Sequence, residues 1–205
     1  PDIFFRDCER RYEALKARRI LVLSTPEQAS QAADIAKSLG ARVVATFSKA
    51  QMHTPVEVTA DAMKTVERHD IDALLSVGGG STTGLGKAIA LRTDLPQIVV
   101  PTTYAGSEAT PILGETDGGR KVTRSDPRIL PEVIVYDVDL TLTLPVPLSV
   151  TSGINAVAHA VEALYAKEAN PVVSLMAEEG IGAIVRALPR IHANKGDVEG
   201  RSSAL

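Results

Sequence analysis

The residues best suited to chemistry lie in one run of small side chains, Gly78-Gly79-Gly80-Ser81-Thr82-Thr83. An apolar stretch, Ile71 to Val77, runs straight into it, and a helix-like stretch opens near Gly84. Strand, glycine turn and helix N-terminus make an anion site. Glycine lets backbone approach a ligand closely, and the first N–H groups of a helix have no internal acceptors. A phosphate or pyrophosphate suits such a site. The common phosphate motifs do not fit. In the Walker frame Ser81 stands where the first glycine belongs and Ala88 where Ser or Thr follows Lys87. In the dinucleotide frame Gly84-Leu85-Gly86 is followed by Ile89 rather than a third glycine. The plain alternative is a tight strand-to-helix turn with no ligand.

A second polar set is Asn155, His159 and Glu162, spaced i, i+4 and i+7 in the helical run TSGINAVAHAVEALYAK. A histidine and an amide one turn apart can face a substrate or a metal. They can equally be a core histidine and its hydrogen-bond partner. In the same run Ile154, Val157, Val161 and Leu164 form an apolar stripe at spacings of three and four.

The elements that must position these residues alternate between strand and helix. Arg19 to Leu23 reads as a buried strand, and Ser24-Thr25-Pro26 as the start of a helix that ends at Gly40. A strand from Arg42 to Phe47 precedes the loop Met52-His53-Thr54-Pro55 and a helix from about Val58 to Arg68. The glycine turn follows the third strand, and a fourth, Gln97 to Val100, ends at Pro101-Thr102-Thr103. Such alternation predicts parallel βαβ units with ligands at the carboxyl ends of the strands. Asp117-Gly118-Gly119 between Ile112-Leu113-Gly114 and Lys121-Val122-Thr123 predicts a hairpin. Val133 to Tyr136 reads as a further strand. Beyond Pro145 the chain turns helical, with Asn170 capping a helix that Pro189 ends or kinks. Met176, Ile181, Ile184, Val185 and Leu188 are its expected packing residues. The expected organisation is a Rossmann-like α/β nucleotide-binding domain over residues 1–144 and the first helices of an all-α domain over 145–205.

The 205 residues carry 44% hydrophobic side chains but only 3% aromatic ones, so the core must be aliphatic. A net charge of -3 and no basic–aromatic interleaving argue against a nucleic-acid surface. A lone cysteine, Cys8, gives no disulfide framework, and no apolar run is long enough for a membrane span. The expectation is a cytoplasmic protein. Ile3-Phe4-Phe5 reads as a short strand. The chain starts at Pro1 and ends in a helix opened by Asp197, which reads as a fragment of a longer protein.

GGGSTTGLGKAIALR, PTTYAGSEATPILGET and LPEVIVYDVDLTLTLPVPLSVTSGINAVAHAVEALYA together resemble the iron-containing alcohol dehydrogenase superfamily, in its maleylacetate reductase branch. The resemblance runs from about Arg19 to the end. It implies an α/β domain holding NADH or NADPH, a helical domain, and an active site in the cleft between them. It also implies a small dicarboxylate substrate, no nucleic-acid or membrane partner, and a homodimer. By the resemblance, Gly78, Gly79, Gly80 and Ser81 lie against the cofactor pyrophosphate. Thr102, Thr103 and Thr54 join them as cofactor contacts, and Lys121 matches a lysine beside the site. Ser24 and Thr25 stand where many relatives carry an acidic residue for the adenine ribose. Without that carboxylate a 2′-phosphate is not excluded, so both NADH and NADPH are expected. His159, Lys121, Asn155 and Tyr104 are the expected catalytic set. Asn155 replaces the aspartate of metal-binding relatives, and a neutral amide is a poor ligand for a hard divalent ion. The family's two further metal-binding histidines lie beyond Leu205, leaving His159 as the one matching ligand position. A metal is therefore not expected. Phe5-Arg6-Asp7-Cys8 does not match the glycine turn that relatives carry near the N-terminus. The implied reaction is hydride transfer from NAD(P)H to maleylacetate, giving 3-oxoadipate, in the breakdown of aromatic compounds. The alternatives are a metal-dependent alcohol or polyol dehydrogenase of the same superfamily and a nucleotide-binding module without catalysis.

Overall fold

The computed structural model describes residues 10–13 and 15–205, so the expectations at Ile3-Phe4-Phe5 and at Cys8 lie outside the described residues. The chain forms two compact units. One comprises the chain up to Pro101 together with Ser107–Tyr136, and the other Thr102–Gly106 with Asp137–Leu205.

The first unit is built on a parallel sheet of β1 (Ile20–Leu23), β2 (Val43–Phe47), β3 (Ala73–Gly78), β4 (Gln97–Pro101) and β7 (Val133–Ile134), in the order β2-β1-β3-β4-β7. Counting parallel strands alone, this is the doubly wound order 2-1-3-4-5, in which ligands bind where the chain direction across the sheet switches, between the first and third strands. β1, β3 and β4 are buried along their whole length, as central strands covered on both faces must be. The connecting helices are α1 (Ala29–Leu39), α2 (Val56–Arg68) and α3 (Gly80–Thr93). Leu21, Leu23, Leu74, Leu85 and Ile89 join Phe47 in an aliphatic core between sheet and helices.

β5 (Ile112–Asp117) and β6 (Arg120–Ser125) form the expected antiparallel hairpin. Its two loop residues, Gly118 and Gly119, have φ of 52° and 81°. This is the positive-φ pair that a tight two-residue turn requires.

The second unit holds α4 (Val146–Tyr165), α5 (Pro171–Ala193) and α6 (Val198–Ala204). The apolar stripe expected to bury α4 is largely exposed: Ile154 at 53%, Val161 at 43% and Leu164 at 36%. α4 packs instead through small residues. Ser149 and Gly153 are buried, and a Cβ on Gly153 would lie 2.9 Å from Leu188 Cδ2. On α5 the expected packing residues divide: Ile184 and Leu188 are buried, whereas Met176 is 70% and Val185 55% exposed. Nor does Pro189 end α5, which runs on to Ala193 and gives up one backbone hydrogen bond at the proline. Arg201 is fully buried and donates to the carbonyls of Lys195, Thr141 and Leu144 at 2.7, 2.6 and 3.0 Å. Among the described residues no helix is long and apolar enough to cross a membrane.

The caps read from the sequence are present. Asn170 Oδ1 accepts from the N–H of Val172 and Val173, both at 3.1 Å, and Asp197 Oδ1 from that of Gly200 at 2.9 Å. Asn170→Ala should lower stability by about 1 kcal/mol, read as a shifted urea midpoint at constant slope. An unchanged midpoint would mean that the exposed cap adds nothing to α5.

Candidate functional site

The glycine turn is a tight junction. β3 ends at Gly78, whose φ of +154° is one that side-chain-bearing residues rarely adopt. A Cβ there would lie 2.4 Å from Thr82 Oγ1 and 2.5 Å from Gln28 Oε1. Gly79 is the N-cap of α3 and supplies no side-chain cap. Its carbonyl accepts the N–H of Thr82 and of Thr83, each at 3.1 Å. The helix therefore opens at Gly80, four residues before the expected start near Gly84, and the hydroxylic residues form its first turn. The N–H groups of Gly80 and Ser81 precede the first intrahelical bond, at the positive end of the helix dipole. Thr82 Oγ1 is buried and has no protein partner. An oxyanion at this turn would meet uncapped amide donors and an unpaired hydroxyl. A phosphate fits it.

Neighbouring segments seat on the same helix. A Cβ at Gly84 would lie 2.4 Å from Thr54 Oγ1. Thr54 is buried with φ of 47°, and its carbonyl accepts Thr116 N–H at 3.1 Å. Ser24 is buried and donates to Ser48 Oγ at 2.9 Å, so its hydroxyl is spent on the segment after β2. Thr25 Oγ1 donates to Gln28 Oε1 at 3.3 Å. Thr102 and Thr103 follow directly on Pro101, which pairs with Gly78 in the sheet. Thr102 is buried and Thr103 half-buried.

The expected catalytic residues are spread over both units. Lys121 lies exposed on β6, opposite Thr116. Tyr104 belongs to the second unit, where it is buried beside Ala187 and Ile191 and its oxygen accepts from Arg201 at 3.3 Å. Asn155 and His159 are exposed on α4. His159 is 65% exposed, and its Nδ1 lies 3.6 Å from Glu162 Oε2. It is therefore not a core histidine held by Asn155. Among the described residues no three His, Cys, Asp or Glu side chains converge as a metal ion would require. One imidazole, one carboxylate and a neutral amide on the α4 face do not by themselves fit a divalent cation.

In the sequence Lys87 stands out only against the Walker frame; in the structure it does something else. It is 1% exposed on α3, and its ammonium donates to the carbonyls of Ser107, Thr110 and Ile112 and to Thr110 Oγ1. Burial pushes its pKa down to about 8, against the opposing pull of Glu108. Burial likewise raises the pKa of Glu108, whose Oε1 accepts from Tyr136 at 3.3 Å. A lysine among Gly86, Ala88 and Ile89 in an apolar helix was the available signal. The polar atoms that solvate it lie 20 or more residues away.

The profile of iron-containing alcohol dehydrogenases matches residues 5–138, and that of the C-terminal part of the same family matches residues 149–205. The chain belongs to the iron-containing alcohol dehydrogenase family. Within this family it is 57% identical, over 91% of its length, to a maleylacetate reductase of a Rhizobium species. It superposes with a TM-score of 0.93 on the crystal structure of maleylacetate reductase from Agrobacterium tumefaciens, at 54% identity over 98% of the chain. An iron-containing alcohol dehydrogenase from Corynebacterium glutamicum gives a TM-score of 0.93 at 40% identity over the same share. The chain spans about half the length of these relatives: 53% of the Rhizobium protein, and 57% and 56% of the two solved chains.

Gly79 has φ of -86°, which any residue tolerates. Gly79→Val should therefore fold while raising the Kd for ADP at least ~10-fold, or about 1.4 kcal/mol. An unchanged ADP titration with an unchanged melting curve would remove the anion site from this turn. For Lys87 the sign follows from a folded pKa of about 8 against the ordinary 10.5. Between those values the unfolded chain binds more protons, so stability rises with pH. Wild type should thus gain stability relative to Lys87→Met from pH 8 to 10.5. A flat difference in urea midpoints across that window would show that the ammonium is not desolvated.

Proposed function

We propose that the protein is an NAD(P)H-dependent reductase that converts maleylacetate to 3-oxoadipate. The observation that carries this reading is the bare glycine turn at the head of α3, with its unpaired Thr82 hydroxyl, in a chain whose relatives at high identity are named maleylacetate reductases. The turn takes the cofactor pyrophosphate through backbone N–H groups, and Thr102, Thr103 and Thr54 contribute further cofactor contacts. Thr25 brings no carboxylate to the ribose, so NADH and NADPH both serve.

A nicotinamide cofactor held at the glycine turn would supply a hydride to the carbon–carbon double bond, and the electron pair displaced toward the conjugated carbonyl would then require a proton from the protein to give the saturated product. The transition state gains negative charge on the substrate, so catalysis requires donors aimed at it. His159 acts as proton donor or positions the substrate, with Asn155 one turn before it on the same exposed helix face. Lys121, exposed on the hairpin, holds a substrate carboxylate. Tyr104 contributes through the loop that carries Thr102 and Thr103, its oxygen being engaged by Arg201. The amide of Asn155 favours a reaction without a divalent ion, although the family takes its name from iron.

Steady-state NADH oxidation with maleylacetate, on the full-length polypeptide that carries this sequence, tests the reading directly. Exhaustive chelation should leave kcat largely intact. His159→Ala should lower kcat/KM for maleylacetate ~10- to ~1000-fold, the range for losing a proton donor or a charge-stabilising group, with cofactor binding nearly unaffected. Loss of activity on chelation, restored by Fe2+ or Zn2+, would replace this reading with a metal-dependent alcohol dehydrogenase. NADH binding without turnover of maleylacetate would leave only a nucleotide-binding module.

A further inference from the structure

The turn after β1 comes into direct contact with the end of β3, and one side chain makes that contact. Gln28 closes the 3-10 turn Pro26–Gln28, and its Oε1 reaches within 2.5 Å of the position a Cβ on Gly78 would take. Only the absence of that Cβ leaves room for it. Thr25, the N-cap of the turn, has its Oγ1 3.3 Å from the same oxygen, and its single hydroxyl hydrogen is shared between Gln28 Oε1 and the Glu27 carboxylate. β1 pairs with β3, with Leu23 opposite Ser76, so the loop after β1 lies beside the glycine turn on the side away from β4. A dinucleotide lying across the strand ends, with its pyrophosphate on α3, extends one half toward this loop. Glu27, the other polar side chain of the turn, is occupied locally by its own backbone N–H and the Thr25 hydroxyl.

We propose that Gln28 contacts the adenosine ribose of the cofactor and sets the balance between NADH and NADPH. The inference rests on the nucleotide reading above and adds a residue to it. A primary amide both donates and accepts. It can hydrogen-bond a ribose 2′-hydroxyl, and it can donate to a 2′-phosphate without the repulsion that a carboxylate would impose. Charge placed at this position should therefore change the balance without disturbing the phosphate turn. At contact distance near a protein surface, one unit charge on another is worth about a tenfold change in affinity or more.

The test is the pair of Kd values for NADH and NADPH, from nicotinamide fluorescence titrations of full-length wild type, Gln28→Glu, Gln28→Lys and Glu27→Gln. Melting curves establish that each variant is folded. Gln28→Glu should raise the NADPH-to-NADH Kd ratio at least ~10-fold, and Gln28→Lys should lower it by a similar factor. Glu27→Gln should leave it within about twofold. If both Gln28 variants keep the wild-type ratio while still binding cofactor, Gln28 only braces the turn, and the nucleotide reading survives without this proposal. A ratio that follows Glu27 instead would likewise overturn it. Wild type that binds neither cofactor would remove the nucleotide reading and this inference together.

Discussion

The first unit depends on how β3 becomes α3. The strand must stop and a helix start within two residues, while Thr82 and Gln28 both crowd the place where a Cβ on Gly78 would stand. Only a residue without a Cβ can stand at Gly78. From that constraint come the uncapped start of α3, the exposure of its first N–H groups and the meeting of the β1 loop with the end of β3. The site is a by-product of dense packing. Thr82 Oγ1 and Gln28 Oε1 fill the space that a Cβ at Gly78 would take, and what the turn leaves open is the uncapped start of the helix.

Among the described residues, each unit also buries a cation that no carboxylate bonds. Lys87 in the first and Arg201 in the second are solvated by carbonyl and hydroxyl oxygens, with no carboxylate bonded to either. Burying a charge this way is tolerable only when nearly every donor hydrogen finds an acceptor. The benefit is geometric. Each cation gathers backbone from several irregular segments that no ladder of strand or helix bonds could organise. Arg201 joins the ends of the segment from Thr141 to Leu144 to the helix that follows α5, and Lys87 draws the chain from Ser107 to Ile112 onto α3.

Much of this was legible in the residues because the signals were local. Strand–helix alternation, the hairpin at Gly118-Gly119 and the caps at Asn170 and Asp197 each follow from neighbours within a few positions. The start of α3 at Gly80 is hidden in the sequence because Gly80, Ser81, Thr82 and Thr83 are weak helix formers, and the packing that overrides their preference comes from other segments. The buried side of α4 is hidden for a related reason. Large apolar residues mark a buried stripe by default, but α4 approaches α5 through Ser149 and Gly153, where smallness rather than hydrophobicity permits contact. In the candidate site the glycine turn between strand and helix could be read directly. The parts of Lys87 and Gln28 could not, because each is defined by partners far along the chain: Ile112 is 25 residues from Lys87, and Gly78 is 50 from Gln28.

The Lys87 ammonium deserves comparison with a bound ion. Four oxygens surround a group that has three hydrogens to share, an arrangement closer to a coordination shell than to a set of paired bonds. A potassium or ammonium ion in such a nest could be dialysed out, and the segment around it would loosen. Here the ion is tethered by four methylenes to the helix it serves. Its occupancy is independent of the salt around the protein, and the loop that solvates it has a permanent guest.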